Sequence, residues 1–154
     1  MSDAEAFRDR AVRALVLLHE RELRACLATW RRALAWGVAL PASGEHDASP
    51  QASFRHVLGA AGGYLRWFAE HLELDDPGLD EVPNVDDIEA RADAYVEHLL
   101  RRWRELLRDV PRERLRESFP TRWGVELVVE GMFEHAIVHP MRHALQLEEL
   151  MTPS

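Results

Sequence analysis

Three histidines at four-residue intervals, His135, His139 and His143, lie in the stretch EHAIVHPMRHALQLEEL, residues 134–150. Residues four apart project from the same side of a helix, about one turn from each other. Two imidazoles so placed can each give one nitrogen to a single divalent cation at roughly 2.0–2.1 Å. A third ligand then has to come from another helix, and His56 is the earlier histidine that stands as a candidate. Three neutral imidazoles form a nitrogen-rich set suited to Zn, Ni, Cu or Fe rather than Mg or Ca. They leave a fourth position open to water or substrate, the catalytic arrangement rather than the structural one. The competing reading is a row of ordinary core histidines. Burying uncharged rings without partners costs on the order of several kcal/mol, which weighs against it.

Pro140 follows the second histidine directly. It removes one backbone N–H and crowds the carbonyl of Ala136, so a kink is expected there. His19, His46, His71 and His98 are read as ordinary structural or surface histidines. Cys26 sits in an apolar stretch with no histidine beside it, which argues against a nucleophile. Other chemistries lack their motifs: no Glu-x-x-His pair of a di-iron bundle, no His-Glu-x-x-His, no phosphate-binding loop, no Gly-x-Ser-x-Gly and no Cys-x-x-Cys.

The elements that must carry these residues read as helices. A first helix is predicted from Ser2, where Glu5 completes a capping box. Its stripe is Phe7, Ala11, Leu15, Leu18, then after a one-residue shift Leu23, Leu27, Trp30 and Leu34, and Gly37 and Pro41 end it. After a polar loop, Ser49–Pro50 starts a second helix reaching about Glu73. Its core stripe is Phe54, Val57, Leu58, Ala61, Leu65, Phe68 and Leu72. Its other edge carries His56, Gly59, Ala60 and Gly63, which either admit a close backbone or leave room for something else. A third helix is predicted over 85–109, a helical turn after Pro111, a linker FPTRWG, and a fourth helix from about Gly124 to Met151. No alternating run suggests a sheet. The whole chain, 1–154, is expected to be one all-α domain, an up-and-down four-helix bundle.

The chain carries a formal net charge of −8, with acids and arginines interspersed, so nucleic acid is not an expected partner. The basic run RRWRELLR, 101–108, is expected to be a solvated face with intrahelical pairs. No apolar run reaches membrane-spanning length. The acidic start MSDAEAFRDR and the single cysteine fit a cytoplasmic protein.

HPMRHALQ, His139 to Gln146, and SFRHVLGAAGGYLRWF, Ser53 to Phe68, together resemble the DinB/YfiT-like family. Members end in a helix with a His-x-x-x-His pair followed three residues later by glutamine, and their first histidine lies early in the second helix. Here Ala144–Leu145 replaces the usual Arg-Gly. The resemblance implies a DinB-like bundle, commonly a homodimer, with a divalent metal, often nickel or zinc, on His56, His139 and His143. Gln146 anchors the choice of 139/143 over 135/139, leaving His135 as a residue behind the ligands or in the pocket. Some members are linked to transferases that use low-molecular-weight thiols; others are described as metal-dependent hydrolases.

The expected function is therefore a metal-dependent thiol S-transferase with a small-molecule thiol and an electrophilic substrate. Hydrolysis by activated water is the variant. The alternatives are a non-enzymatic dimeric helical module and a small-molecule carrier whose pocket Gly59 and Gly63 would line. Trp30, Trp67 and Trp123 are expected to wall the site, with Arg122 and Arg142 available for a substrate carboxylate.

Overall fold

The computed structural model describes residues 6–41 and 49–152. Four long helices dominate: α1 (Arg10–Trp36), α2 (Pro50–His71), α3 (Ile88–Leu107) and α4 (Val129–Leu150). A short 3-10 helix, Arg112–Arg116, and a two-stranded antiparallel sheet, β1 (Ser118–Pro120) with β2 (Glu126–Val128), separate α3 from α4. The expectation of no sheet is corrected here. The stretch read as a linker and as the first turn of the last helix is a hairpin. Its second arm, VELVV, is rich in β-branched residues that favour extended backbone. None of the described helices is long and apolar enough to cross a membrane.

Helix α1 begins at Arg10, not near Ser2. Asp9 caps it by accepting from the backbone N–H groups of Ala11 and Val12. The Ser2–Glu5 capping box lies outside the described residues, as do His46 and most of the polar loop. Gly37 ends α1 in the left-handed conformation, φ 70°, and donates back to Leu34, the conformation glycine adopts without a Cβ clash. Helix α2 starts as its sequence predicts, with Ser49 accepting from Ala52 and Pro50 in the first turn. Helix α4 runs on through Pro140.

The buried stripe of α1 differs from the one read off its sequence. It runs Val12, Val16, His19, Leu23, Cys26, Trp30 and Ala33, an unbroken alternation of four- and three-residue steps. Phe7, Ala11, Leu15 and Leu18 are only half-buried. The one-residue shift was needed only because a histidine was not admitted to the core. His19 is nevertheless 1% exposed, its ring stacked on Trp103 at 3.7 Å between centroids.

In space, α1 packs against α3 and α4, and α2 packs against the same two helices. The consecutive pairs α1/α2 and α3/α4 meet least and face each other across the diagonals of the bundle. Connection length does not follow this arrangement: α2 and α3, which pack together, are still joined by the long stretch 72–87. Indole N–H groups fasten other elements to α2. Trp30 of α1 donates to the carbonyl of Pro50, Trp103 of α3 to that of Ala61, and Trp67 of α2 itself to Pro120 of the hairpin. Each buried ring thus keeps its one polar atom satisfied. Phe68, Trp103 and Phe133 knit α2, α3 and α4 into one aromatic cluster.

The basic run on α3 is only partly as expected. Arg102 pairs with Glu105 along the helix, but Arg104 crosses to Glu20 of α1 at 2.7 Å. Arg24 to Glu97 and Arg31 to Asp93 add further pairs along the same α1–α3 seam. Exposed pairs of this kind contribute little each, about 0–1 kcal/mol, so they fix register more than stability.

His19 makes the core acid-sensitive. Among the described residues neither ring nitrogen has a hydrogen-bond partner, and burial lowers its pKa to about 3. An unfolded chain takes up a proton at this residue below pH about 6.5, whereas the folded chain does not. The contribution is fully present above pH 6.5 and is lost as pH falls toward 3, by at most about 1.4 kcal/mol per pH unit. His19→Leu, close in volume and without the orphaned nitrogens, is expected to raise stability by about 1–3 kcal/mol at pH 5. It should also flatten the acid limb. Urea unfolding of both proteins at pH 5 and 7.5 measures this; an unchanged pH slope would contradict it.

Candidate metal centre

The seam between α2 and α4 brings three imidazoles together. On α2, Phe54, Val57, Leu58 and Ala61 turn into the core, which leaves His56 half-buried on the side facing α4. On α4, Val129, Met132, Phe133 and Ala136 are buried in sequence, and His139 continues that face at 7% exposure. One turn later His143 is half-buried. The Nε2 atoms of His56 and His139 lie 3.2 Å apart. The His143 ring is 5.3 Å from His56 and 4.7 Å from His139, between centroids. One nitrogen from each of the three falls within 4.8 Å of the others.

These distances suit a shared cation. Nitrogens bound tetrahedrally at 2.0–2.1 Å stand about 3.3 Å apart. The His56–His139 pair already has that spacing, and the remaining separations need to close by at most about 1.5 Å. The three histidines can therefore hold a metal ion. Electrostatics also favours it. Burial first, then the neighbouring His143, His56, Arg142 and His135, lower the pKa of His139 to about 3. Its ring is neutral at neutral pH, the form that ligates. Its Nδ1 is buried with no hydrogen-bond partner. Among the described residues no carboxylate or carbonyl therefore fixes this ring from behind, support that ligating histidines usually have.

The other expected residues divide. His135 stays out of the triad. It stacks on Trp123 at 5.1 Å with 27° between planes, and meets the edge of Tyr64 at 5.4 Å. It backs two residues of the cleft without lining it, its pKa lowered by burial and by Arg142. Trp123 and Trp67 line a cleft beside the triad, as expected. Trp30 does not: its ring stacks on Phe54 inside the core, fully buried. Gln146 is exposed on α4 rather than tucked behind the ligands. Arg122 lines the cleft, and Arg142, exposed, acts on Tyr64, His135 and His139 through its charge. Cys26 is fully buried, and burial raises its pKa to about 12, so no thiolate forms there. His98 is a satisfied structural histidine, accepting from the Asp80 backbone N–H at 3.0 Å.

The cleft encloses about 530 Å³. One wall is the small-residue edge of α2. A Cβ added at Gly59 or Gly63 would meet nothing within 4 Å, so these glycines leave open space and do not serve a close backbone contact. The opposite wall is the hairpin. Thr121 and Val125 close its turn through both backbone and hydroxyl, and Gly124, φ 83°, supplies the reversal. That turn puts Trp123 over His135, and the Trp67–Pro120 bond ties the hairpin to α2. Tyr64 stands where cleft and triad meet, 5.9 Å from the His139 ring. A second depression of 470 Å³, between α1 and α3, is lined by Glu20, Arg24, Glu97 and Arg104. Those charges pair with each other, so it is an ion-pair seam rather than a site.

Tyr64 and Arg66, which belong to no motif in the sequence, line this cleft, as does His71, expected to be an ordinary structural or surface histidine. The available signal was the pair TRWG and VELVV, a glycine-containing turn before a β-branched run, which together read as a hairpin arm. Comparison with protein-family models, with curated proteins and with solved structures returned no match.

Replacing His139 with alanine is expected to weaken zinc or nickel binding by about two orders of magnitude or more while leaving the helical circular dichroism intact. Gln146→Ala should leave affinity unchanged. Titration of chelator-treated protein against a chromogenic competitor decides both; equal affinity of wild type and the His139 variant would exclude the triad.

Proposed function

We propose that the chain is a divalent-metal-dependent enzyme of the DinB/YfiT-like kind, a transferase that moves a low-molecular-weight thiol onto an electrophilic small molecule. The observation that carries this reading is the convergence of His56, His139 and His143 beside a cleft large enough for an organic substrate. A bound zinc or nickel ion would supply a positive charge that makes a thiol, or in the hydrolytic variant a water, acidic near neutral pH. The protein's own residues do the rest. Neutral His139 offers its lone pair without first losing a proton. Trp123 and Trp67 hold the electrophile's apolar body against α2 and exclude water from one side. Tyr64, kept protonated by burial, can donate a hydrogen bond to the group that leaves. The sulfur–carbon bond forms as that group departs with its electron pair, and the thiol proton passes to solvent at the cleft mouth.

A homodimer belongs to the same reading. Val138, Met141 and Leu145 form an exposed apolar stripe on α4, a surface that a second copy would cover. Leu145→Arg is expected to shift the solution mass to that of a monomer by light scattering.

The function is tested with untagged protein carrying one equivalent of zinc or nickel. A panel of small thiols is offered with 1-chloro-2,4-dinitrobenzene, and the arylated thiol is followed by absorbance. Turnover above the free thiol rate, lost in the His139→Ala protein, is the expected result. Hydrolysis of an activated ester without any thiol would favour the hydrolase. Tight metal binding with neither activity would leave a dimeric binding module.

A further inference from the structure

The cleft beside the triad has a chemical character of its own. Its walls are aromatic: Tyr64 and Trp67 from α2, and Trp123 from the hairpin. Trp123 is 51% exposed, so its ring is open to a bound molecule. Two guanidiniums, Arg66 and Arg122, stand on the same lining, with Glu70 as the one opposing carboxylate. Arg66 and Glu70 are four residues apart on one helix, yet among the described residues neither arginine forms an ion pair. Most other arginines of the bundle are engaged, as the α1–α3 seam illustrates. Arginine is the side chain whose planar fork matches a carboxylate with two parallel hydrogen bonds.

We infer that this cleft binds a monocarboxylate with a flat apolar body, the body lying between Trp123 and the glycine edge of α2 and the carboxylate reaching Arg66 and Arg122. Two cations against one anion leave a single net positive charge on the lining, which matches a monoanion better than a phosphate dianion. A neutral or cationic molecule of the same shape would leave both guanidiniums without an anion. Gly59 and Ala60 line both this cleft and the smaller one that His56 lines, and the Arg66 side chain reaches back along α2 to within 3.5 Å of where a Cβ on Gly62 would stand. As a statement about binding this stands on the cleft alone. As a statement about the electrophilic substrate it rests on the transferase reading above.

The test is calorimetric titration of chelator-treated, metal-free protein with three compounds of one shape: 3-phenylpropionate, 3-phenylpropanamide and 3-phenylpropylamine. The absence of metal ensures that a carboxylate is not simply captured by the triad. The acid is expected to bind at least about tenfold more tightly than the amide, and the amine should not bind measurably. Arg66→Met with Arg122→Met, both exposed positions that the fold does not need, should remove that preference, and Trp123→Ala should weaken acid and amide alike. Equal binding of acid and amide, no binding of any of the three, or a preference that survives loss of both arginines would each overturn the inference. Acid binding in a protein that fails to take up zinc would sink the metal reading and leave this site standing; zinc binding without acid binding would do the reverse.

Discussion

Withdrawal of His139 from water, between α2 and α4, is the constraint on which the site depends. A buried imidazole resists protonation, and three other histidines and an arginine nearby deepen that resistance. The ring is consequently held as a base with a free lone pair in a place where like-charged neighbours would otherwise repel. Every other feature of the seam follows from that placement. His56 approaches to 3.2 Å, Nε2 to Nε2, beside a His139 ring that burial keeps uncharged. The small residues of α2 are needed because a bulkier edge would close the space next to the rings.

Supporting this placement requires most of the fold. Helix α2 is positioned by Trp30 from α1 and Trp103 from α3, whose N–H groups bind its carbonyls, and by the Phe68–Phe133 stack to α4. The hairpin contributes no ligand candidate. It closes the cleft and carries Trp123, and its own attachment is again an indole, Trp67. The arginine–carboxylate pairs of the α1–α3 seam act on the opposite side of the molecule, where they hold none of the three histidines.

The helices were legible because their apolar residues repeat at helical spacing, and α2 most of all, since Ser49–Pro50 is an unambiguous start. The three metal-ligand candidates were legible for a different reason: four-residue spacing fixes two of them on one face whatever the rest of the chain does. Which third histidine joins them is a matter of tertiary packing, and only the resemblance singled out His56. Two failures have a common cause. His19 was excluded from the stripe of α1 and VELVV was read as helix because local type was weighed over context. A histidine enters a core when an indole covers its face, and a β-branched run leaves the helix when a preceding turn gives it a partner strand. Gln146 shows the converse, a residue inferred from a sequence pattern that the α4 surface leaves in solvent.

His56 and His139 are 83 residues apart in the chain, and α3 with both diagonal crossings lies between or around them. Their meeting closes a loop of more than half the protein. No fragment of α4, however helical, can reproduce the site by itself, because His56 comes from α2. A cation that binds only the closed arrangement must then draw the whole folding equilibrium with it, by RT ln(1 + [M]/Kd). Were such an ion bound, its availability would become a term in how long the chain survives intact, independent of any reaction it performs.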